Sequence, residues 1–126
     1  EFRNRHHLRG MSVLQFGFTG DLATNPHHPS NITEQQIAYT GTHDNNTAVG
    51  WFEDATEEER GNVRSLALSN EAIETTLMRL AKNSNAKISI FPLQDVLGLG
   101  PDARMNIPGK KGKNWEWKFS WQILDR

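Results

Sequence analysis

Three short apolar runs set far apart constrain this chain more than anything else in it: Val13–Phe18, Ile37–Gly41 and Lys87–Phe91. The first alternates Leu14, Phe16 and Phe18 with Val13, Gln15 and Gly17, the period-two pattern of a strand. The third is stopped by Pro92, which cannot donate to a sheet ladder. The stretches between the runs are too long for hairpin turns, and strands joined by long crossovers are expected to lie parallel. Thr19 to Gln36 is rich in Pro, Asn, Thr and His and reads as loop. Two helices are expected before the third strand. One starts at Thr56, where Thr56 and Glu59 have capping-box spacing and Glu57, Glu58 and Glu59 suit the helix dipole, and it is expected to reach Ser69–Asn70. The other spans Glu71 to Lys82, with Ile73, Leu77 and Leu80 on one face and Ser69 or Asn70 as cap. Leu93–Leu97 adds a helical turn, Gly98–Asn114 reads as loop, and Trp115, Trp117, Phe119 and Trp121 form an apolar face that must pack on something.

A parallel sheet needs both faces covered, and two helices cannot cover two faces. A closed barrel of alternating strands and helices takes about 250 residues. With 126 residues, 36% of them hydrophobic, the chain has material for one domain and would supply only a fraction of such a barrel. A self-contained three-stranded α/β domain is the alternative. The formal net charge of -1, with no basic run beyond Lys110–Lys113, speaks against nucleic acid or an anionic membrane as partner. No apolar run approaches the roughly 20 residues of a membrane helix. The first ten residues lack the apolar core of a signal peptide, although a chain beginning with Glu could have lost a leader. The absence of cysteine excludes disulfides and thiolate chemistry within the chain and is compatible with a reducing, cytoplasmic compartment. His6–His7 and His27–His28 lack the spacing of helical zinc ligands and read as exposed, so neither metal nor cofactor is expected.

In a parallel α/β barrel, residues just past the strand C-termini line the active site. Thr19–Asn25, Thr42–Thr47 and Pro92–Asp95 hold that position. The pair His43–Asp44, flanked by amides, can bind a polar ligand or stabilise positive charge that develops during a reaction. Alternatively Asp44, Asn45 or Asn46 caps a helix whose body contains Trp51, and local sequence leans slightly to the cap. Gln15, polar in an apolar strand, points either to a satisfied interior position or to an exposed face. Asp95 could enter a site, but capping Val96–Gly98 is the safer reading. Pro108–Lys113 lacks the order of a phosphate-cradling loop and reads as a solvated turn. Trp115, Trp117 and Trp121 could stack on sugar rings or form a hydrophobic dock.

Taken together, VLQFGF, YTGTHDNNTAVGWF, PLQDVLGLGPDARMNIPG and NWEWKF, in that order, resemble the C-terminal part of the 4-α-glucanotransferases known as amylomaltases or disproportionating enzymes. The resemblance runs from about Leu8 to Phe119. It implies an α/β fold in which residues 1–126 form the C-terminal segment, about the last three strands, of an α-amylase-like (β/α)₈ catalytic barrel. The implied partners are a malto-oligosaccharide donor and acceptor, and the N-terminal part of the same chain. By position, Asp44 matches the family carboxylate that stabilises the transition state. His43 matches the histidine that bonds the sugar at the cleavage subsite, and Asn45 and Asn106 are candidate substrate contacts. The family's nucleophile and acid/base lie in blocks with no counterpart here, since Asp21, Asp54 and Asp102 stand in loops without a matching motif. The 126 residues alone are therefore expected to be inactive. An α-amylase-type hydrolase fragment and a non-catalytic glucan-binding module are the alternatives.

Overall fold

The computed structural model describes residues 2–124. A short helix α1 (Phe2–Arg5) leads to β1 (Gly10–Val13), and a long loop with two 3₁₀ turns, Leu14–Phe16 and Pro29–Asn31, leads to β2 (Gln36–Tyr39). Then follow α2 (Ala48–Asp54), α3 (Glu57–Arg64), α4 (Ile73–Lys82), β3 (Ile88–Ile90), α5 (Leu93–Val96) and α6 (Trp121–Leu124). The strands form one parallel sheet in the order β1-β2-β3. Pairing sets Met11, Ile37 and Ile88 in one row and Ser12, Ala38 and Ser89 in the next. Because side chains alternate faces, these two rows point to opposite sides.

The two sides have different fates. On one, Ser12 and Ala38 are fully buried, and the Ser89 hydroxyl donates to the Ala81 carbonyl of α4 at 3.1 Å. Here α2, α3 and α4 contribute Ala48, Val63, Leu77 and Ala81 to a core shared with Leu14, Phe18 and Ile32. Each large side chain buried there contributes roughly 1.5–3 kcal/mol by leaving water. On the other side, among the described residues, no helix lies over Met11, Ile88 and Ile90, and each keeps nearly half of its surface exposed. A parallel sheet is normally covered twice; this one is covered once.

The first strand lies upstream of where alternation placed it. Pairing stops at Val13, whose N–H is taken by His27 Nδ1 at 3.1 Å, and Leu14–Phe16 curls into a 3₁₀ turn closed by Gly17 N–H to Leu14 O. Leu14 and Phe18 enter the core while Phe16 is half exposed, so the apolar alternation was serving a turn. His27 and His28, expected at the surface, are half-buried, and burial lowers both pKa values.

The capping box at Thr56 forms as expected, with Thr56 and Glu59 each taking the other's backbone N–H. The helix nevertheless ends at Arg64. Ser65 turns its hydroxyl back onto the Asn62 carbonyl, and Leu66 and Ala67 bond three residues back, a tightening that returns Leu66 to the core. Neither Ser69 nor Asn70 caps α4, whose N-cap is Ala72; Asn70 instead takes a left-handed turn conformation at φ 60°. Glu71 fastens this junction by accepting from Leu68 N–H, the Thr76 hydroxyl and Arg79, and the Arg79 guanidinium draws its carboxyl down to about 2. The tryptophan-rich end does not pack as one apolar face: Trp115, Phe119 and Trp121 are exposed, and the Phe119 and Trp121 rings meet edge to face.

Candidate active site

The site grows from the junction between β2 and α2. Thr40 ends the strand fully buried, and Ala48 opens the helix fully buried. Asp95, in α5 and 1% exposed, joins the two: its Oδ2 accepts from the Thr40 hydroxyl at 2.6 Å and its Oδ1 from Ala48 N–H at 2.7 Å. Burial pushes the Asp95 carboxyl above its ordinary value, and these two donors partly offset the rise. Asp95 is thus a cap, but for α2 across the fold and not for its own Val96–Gly98. The helix over Trp51 also exists, and its N-cap is Thr47, whose hydroxyl oxygen accepts Gly50 N–H at 3.1 Å. Asp44, Asn45 and Asn46 lie outside the cap position. Gln15 is buried and donates to the Asn46 carbonyl at 2.9 Å, beneath Gly41, where a Cβ would stand 2.6 Å from Gln15 Nε2. Glycine at 41 is what permits that approach.

With both ends fixed, residues 41–47 form a tight polar turn. The Asn45 side-chain oxygen accepts from Thr42 N–H at 2.9 Å and from the Thr42 hydroxyl at 2.7 Å, so it organises the turn while lining the pocket. Asp44 projects outward with half of its side chain exposed. A second loop reaches it: Asn106 Nδ2 donates to Asp44 Oδ1 at 2.6 Å, and Arg104 Nη2 donates to the Asp44 carbonyl at 2.7 Å. Among the described residues none donates to Asp44 Oδ2. His43 Nε2 stands 3.5 Å from Asp44 Oδ1, in ion-pair range but long for a hydrogen bond. Three of the four candidate residues, His43, Asp44 and Asn106, are therefore brought together, and Asn45 holds the turn behind them. Arg104 had not been singled out, although it lies in the ARMNIPG block; an arginine two residues before Asn106 was the available signal. Asp21 is engaged locally with Thr24, while Asp54, at the end of α2, accepts from Asn46 of the turn at 3.2 Å.

Beside the turn lies a pocket of about 450 Å³. Its floor is the uncovered side of the sheet, with Met11, Tyr39 and Ile90, and its polar wall includes Thr42, His43 and Gln94. Gln94 is tied by its amide to the Ala103 carbonyl at 3.2 Å. The described lining contains no carboxylate, although His43 and Asn45 on either side of Asp44 belong to it. An apolar cavity with a few fixed polar groups suits a small polar ligand with apolar faces. No helix among the described residues is long and apolar enough to cross a membrane.

A family model described as 4-alpha-glucanotransferase matches residues 1–123. A 4-alpha-glucanotransferase of Synechocystis sp. is 45% identical over 120 residues, covering 93% of this chain and 24% of the relative. The chloroplastic/amyloplastic 4-alpha-glucanotransferase of Solanum tuberosum is 51% identical over 113 residues, covering 87% of this chain and 19% of the relative. An amylomaltase from Streptococcus agalactiae, solved in complex with acarbose, superposes with a TM-score of 0.91 at 35% identity, covering 97% of this chain and 25% of that one. The chain thus spans a quarter or less of the length of these relatives. It belongs to the 4-alpha-glucanotransferase family.

Proposed function

We propose that these residues are the C-terminal segment of a (β/α)₈-barrel 4-α-glucanotransferase, which moves α-1,4-glucan segments between malto-oligosaccharides with retention at the anomeric carbon. The observation that carries this reading is Asp44, half exposed and held by Asn106 at 2.6 Å, beside His43, which lines the pocket. Retaining transfer passes through an oxocarbenium-like state. A carboxylate fixed in advance near the sugar ring favours that cation over the neutral ground state, and this difference is what lowers the barrier. His43 supplies a hydrogen-bond partner for a sugar hydroxyl, and Asn106 keeps Asp44 from swinging away as charge develops.

A retaining enzyme also needs a nucleophile and an acid/base carboxylate about 5–5.5 Å apart. The pocket lining offers neither, which supports their coming from sequence outside these 126 residues, so that the segment alone is inactive. In the whole protein the nucleophile would bond to the anomeric carbon as the acid protonates the departing oxygen, and an acceptor hydroxyl would then reverse the exchange. The half-covered sheet supports the same view, because Ile88, exposed outside the pocket lining, belongs to an apolar face that a barrel interior would cover. The cytoplasmic reading rests only on the absence of cysteine, and a relative whose name places it in plastids leaves the compartment open within the family.

The whole protein incubated with maltotriose should yield glucose and a ladder of longer oligomers. Shorter products alone would move the reading to a glucan hydrolase.

A further inference from the structure

Trp115 carries a feature that packing does not explain. Its backbone is left-handed at φ 63°, a conformation that is costly for a bulky side chain and is kept only where neighbouring structure enforces it. The enforcement is visible. Trp115 N–H donates to the Met105 carbonyl at 2.8 Å, and Asn114 accepts Ile107 N–H at 2.9 Å while donating to the Lys110 carbonyl at 2.9 Å. These bonds staple residues 105–115 into a closed loop whose base also delivers Asn106 to Asp44. The strained residue does not gain burial in return, for the indole remains 60% exposed. What it gains is position: its ring lies 5.0 Å from the His43 ring, tilted 38°, and lines the pocket beside the Asp44 turn.

We propose that the Trp115 indole is a stacking platform for a pyranose ring of the glucan, the ring next to the one that His43 and Asp44 hold. This deepens the glucanotransferase reading and rests on it. A pyranose presents a band of C–H groups on its flat face, which an exposed aromatic face covers with little loss of hydrogen bonding, while the sugar hydroxyls point sideways to polar walls such as Thr42 and Gln94. An indole fixed by its backbone loses little freedom on binding, so the contact appears in affinity. Trp117, half-buried two residues on, and Trp121 lie outside the pocket lining and take no part.

The test compares Trp115→Phe, Trp115→Leu and Trp115→Ala in the whole protein, by maltoheptaose calorimetry and by kcat and KM for maltotriose transfer. Phe keeps a ring face, Leu keeps only apolar bulk, and Ala keeps neither. Phe should bind within about three-fold of wild type, whereas Leu and Ala should weaken binding about ten-fold, chiefly in KM. If Ala fails to fold, the contrast between Phe and Leu decides. Leu binding as tightly as wild type would overturn the platform, and so would a fall in kcat with Kd and KM unchanged, which would reduce Trp115 to a support for His43. A wild-type protein that neither binds maltoheptaose nor transfers maltotriose would instead overturn the glucanotransferase reading itself, and the platform with it.

Discussion

Two carboxylates stand on either side of one turn, and they are put to opposite uses. Asp95 lies beneath it, 1% exposed, with an oxygen on each end of the segment that runs from Thr40 to Ala48. Asp44 lies above it, with half of its side chain exposed and one oxygen on Asn106. A buried carboxylate is stabilising only if its hydrogen bonds are complete, because an unpaired one would be far too costly. An exposed carboxylate gives little stability but keeps its charge available to a substrate. The difference teaches how a short loop can be rigid and still present an accessible carboxylate: the rigidity comes from the side that water never reaches.

If the division is real, substitutions should separate stability from turnover. The largest effect is expected for Asp44→Asn, which should lower kcat of the whole protein by about a hundred-fold or more, the scale of losing one preorganised electrostatic partner. Its melting temperature should stay close to wild type, and a large drop in Tm would erase the contrast with Asp95. Next, Asp95→Ala leaves the Thr40 hydroxyl and Ala48 N–H without their acceptor and should cost about 3 kcal/mol in denaturant unfolding. Asp95→Asn should cost only about 1 kcal/mol, since its amide can still accept from Ala48 and donate to Thr40. Equal losses in the two variants would mean that the charge, and not the pair of bonds, secures the turn. Asn106→Ala frees Asp44 without removing it and should lower kcat about ten-fold, near 1.4 kcal/mol, with little change in Tm.

The smallest effects are those of pH on the scaffold. His27 accepts Val13 N–H as a neutral ring, and burial lowers its pKa below the ordinary 6.5. The unfolded chain then binds the proton more readily, so this contribution is complete above about pH 6.5 and fades as pH falls toward the folded value. His27→Asn, which keeps an acceptor but cannot titrate, should lessen the loss of stability between pH 7 and pH 5, leaving the part due to the half-buried His28. Glu71 acts in a lower window. With its carboxyl drawn to about 2 from 4.5, its contribution is full above 4.5 and disappears as pH falls through about 2. Glu71→Gln should therefore remove acid sensitivity in that range.

The fold was legible in the sequence wherever a local signal and a long-range demand agreed. The capping box of Thr56 and Glu59 formed as read, and long crossovers gave parallel strands. Leu14, Phe16 and Phe18 misled because a strand and a 3₁₀ turn can share an apolar alternation over so few residues, and the His27 imidazole that ends the strand comes from a distant loop. The seven-residue helix α2 was foreseen only through Trp51, and its cap was misplaced because Asp, Asn and Thr in a row all qualify chemically. At the site, His43, Asp44 and Asn106 were legible from the ordered blocks, and their meeting follows from two loops folding toward one strand end. Asp95 was placed at a strand end and read as a cap, but not as the cap of α2, because a carboxylate that caps a helix far away in sequence leaves no local trace. Arg104 acts on the Asp44 carbonyl, a bond that no side-chain pattern encodes.

The claim that Asp44 serves the transition state is tested most directly by equilibrium binding of maltoheptaose to Asp44→Asn, set beside its kcat. A charge that matters when the sugar becomes cationic should leave Kd within about three-fold of wild type while turnover collapses. A loss of binding as large as the loss of turnover would contradict the claim and make Asp44 a ground-state contact.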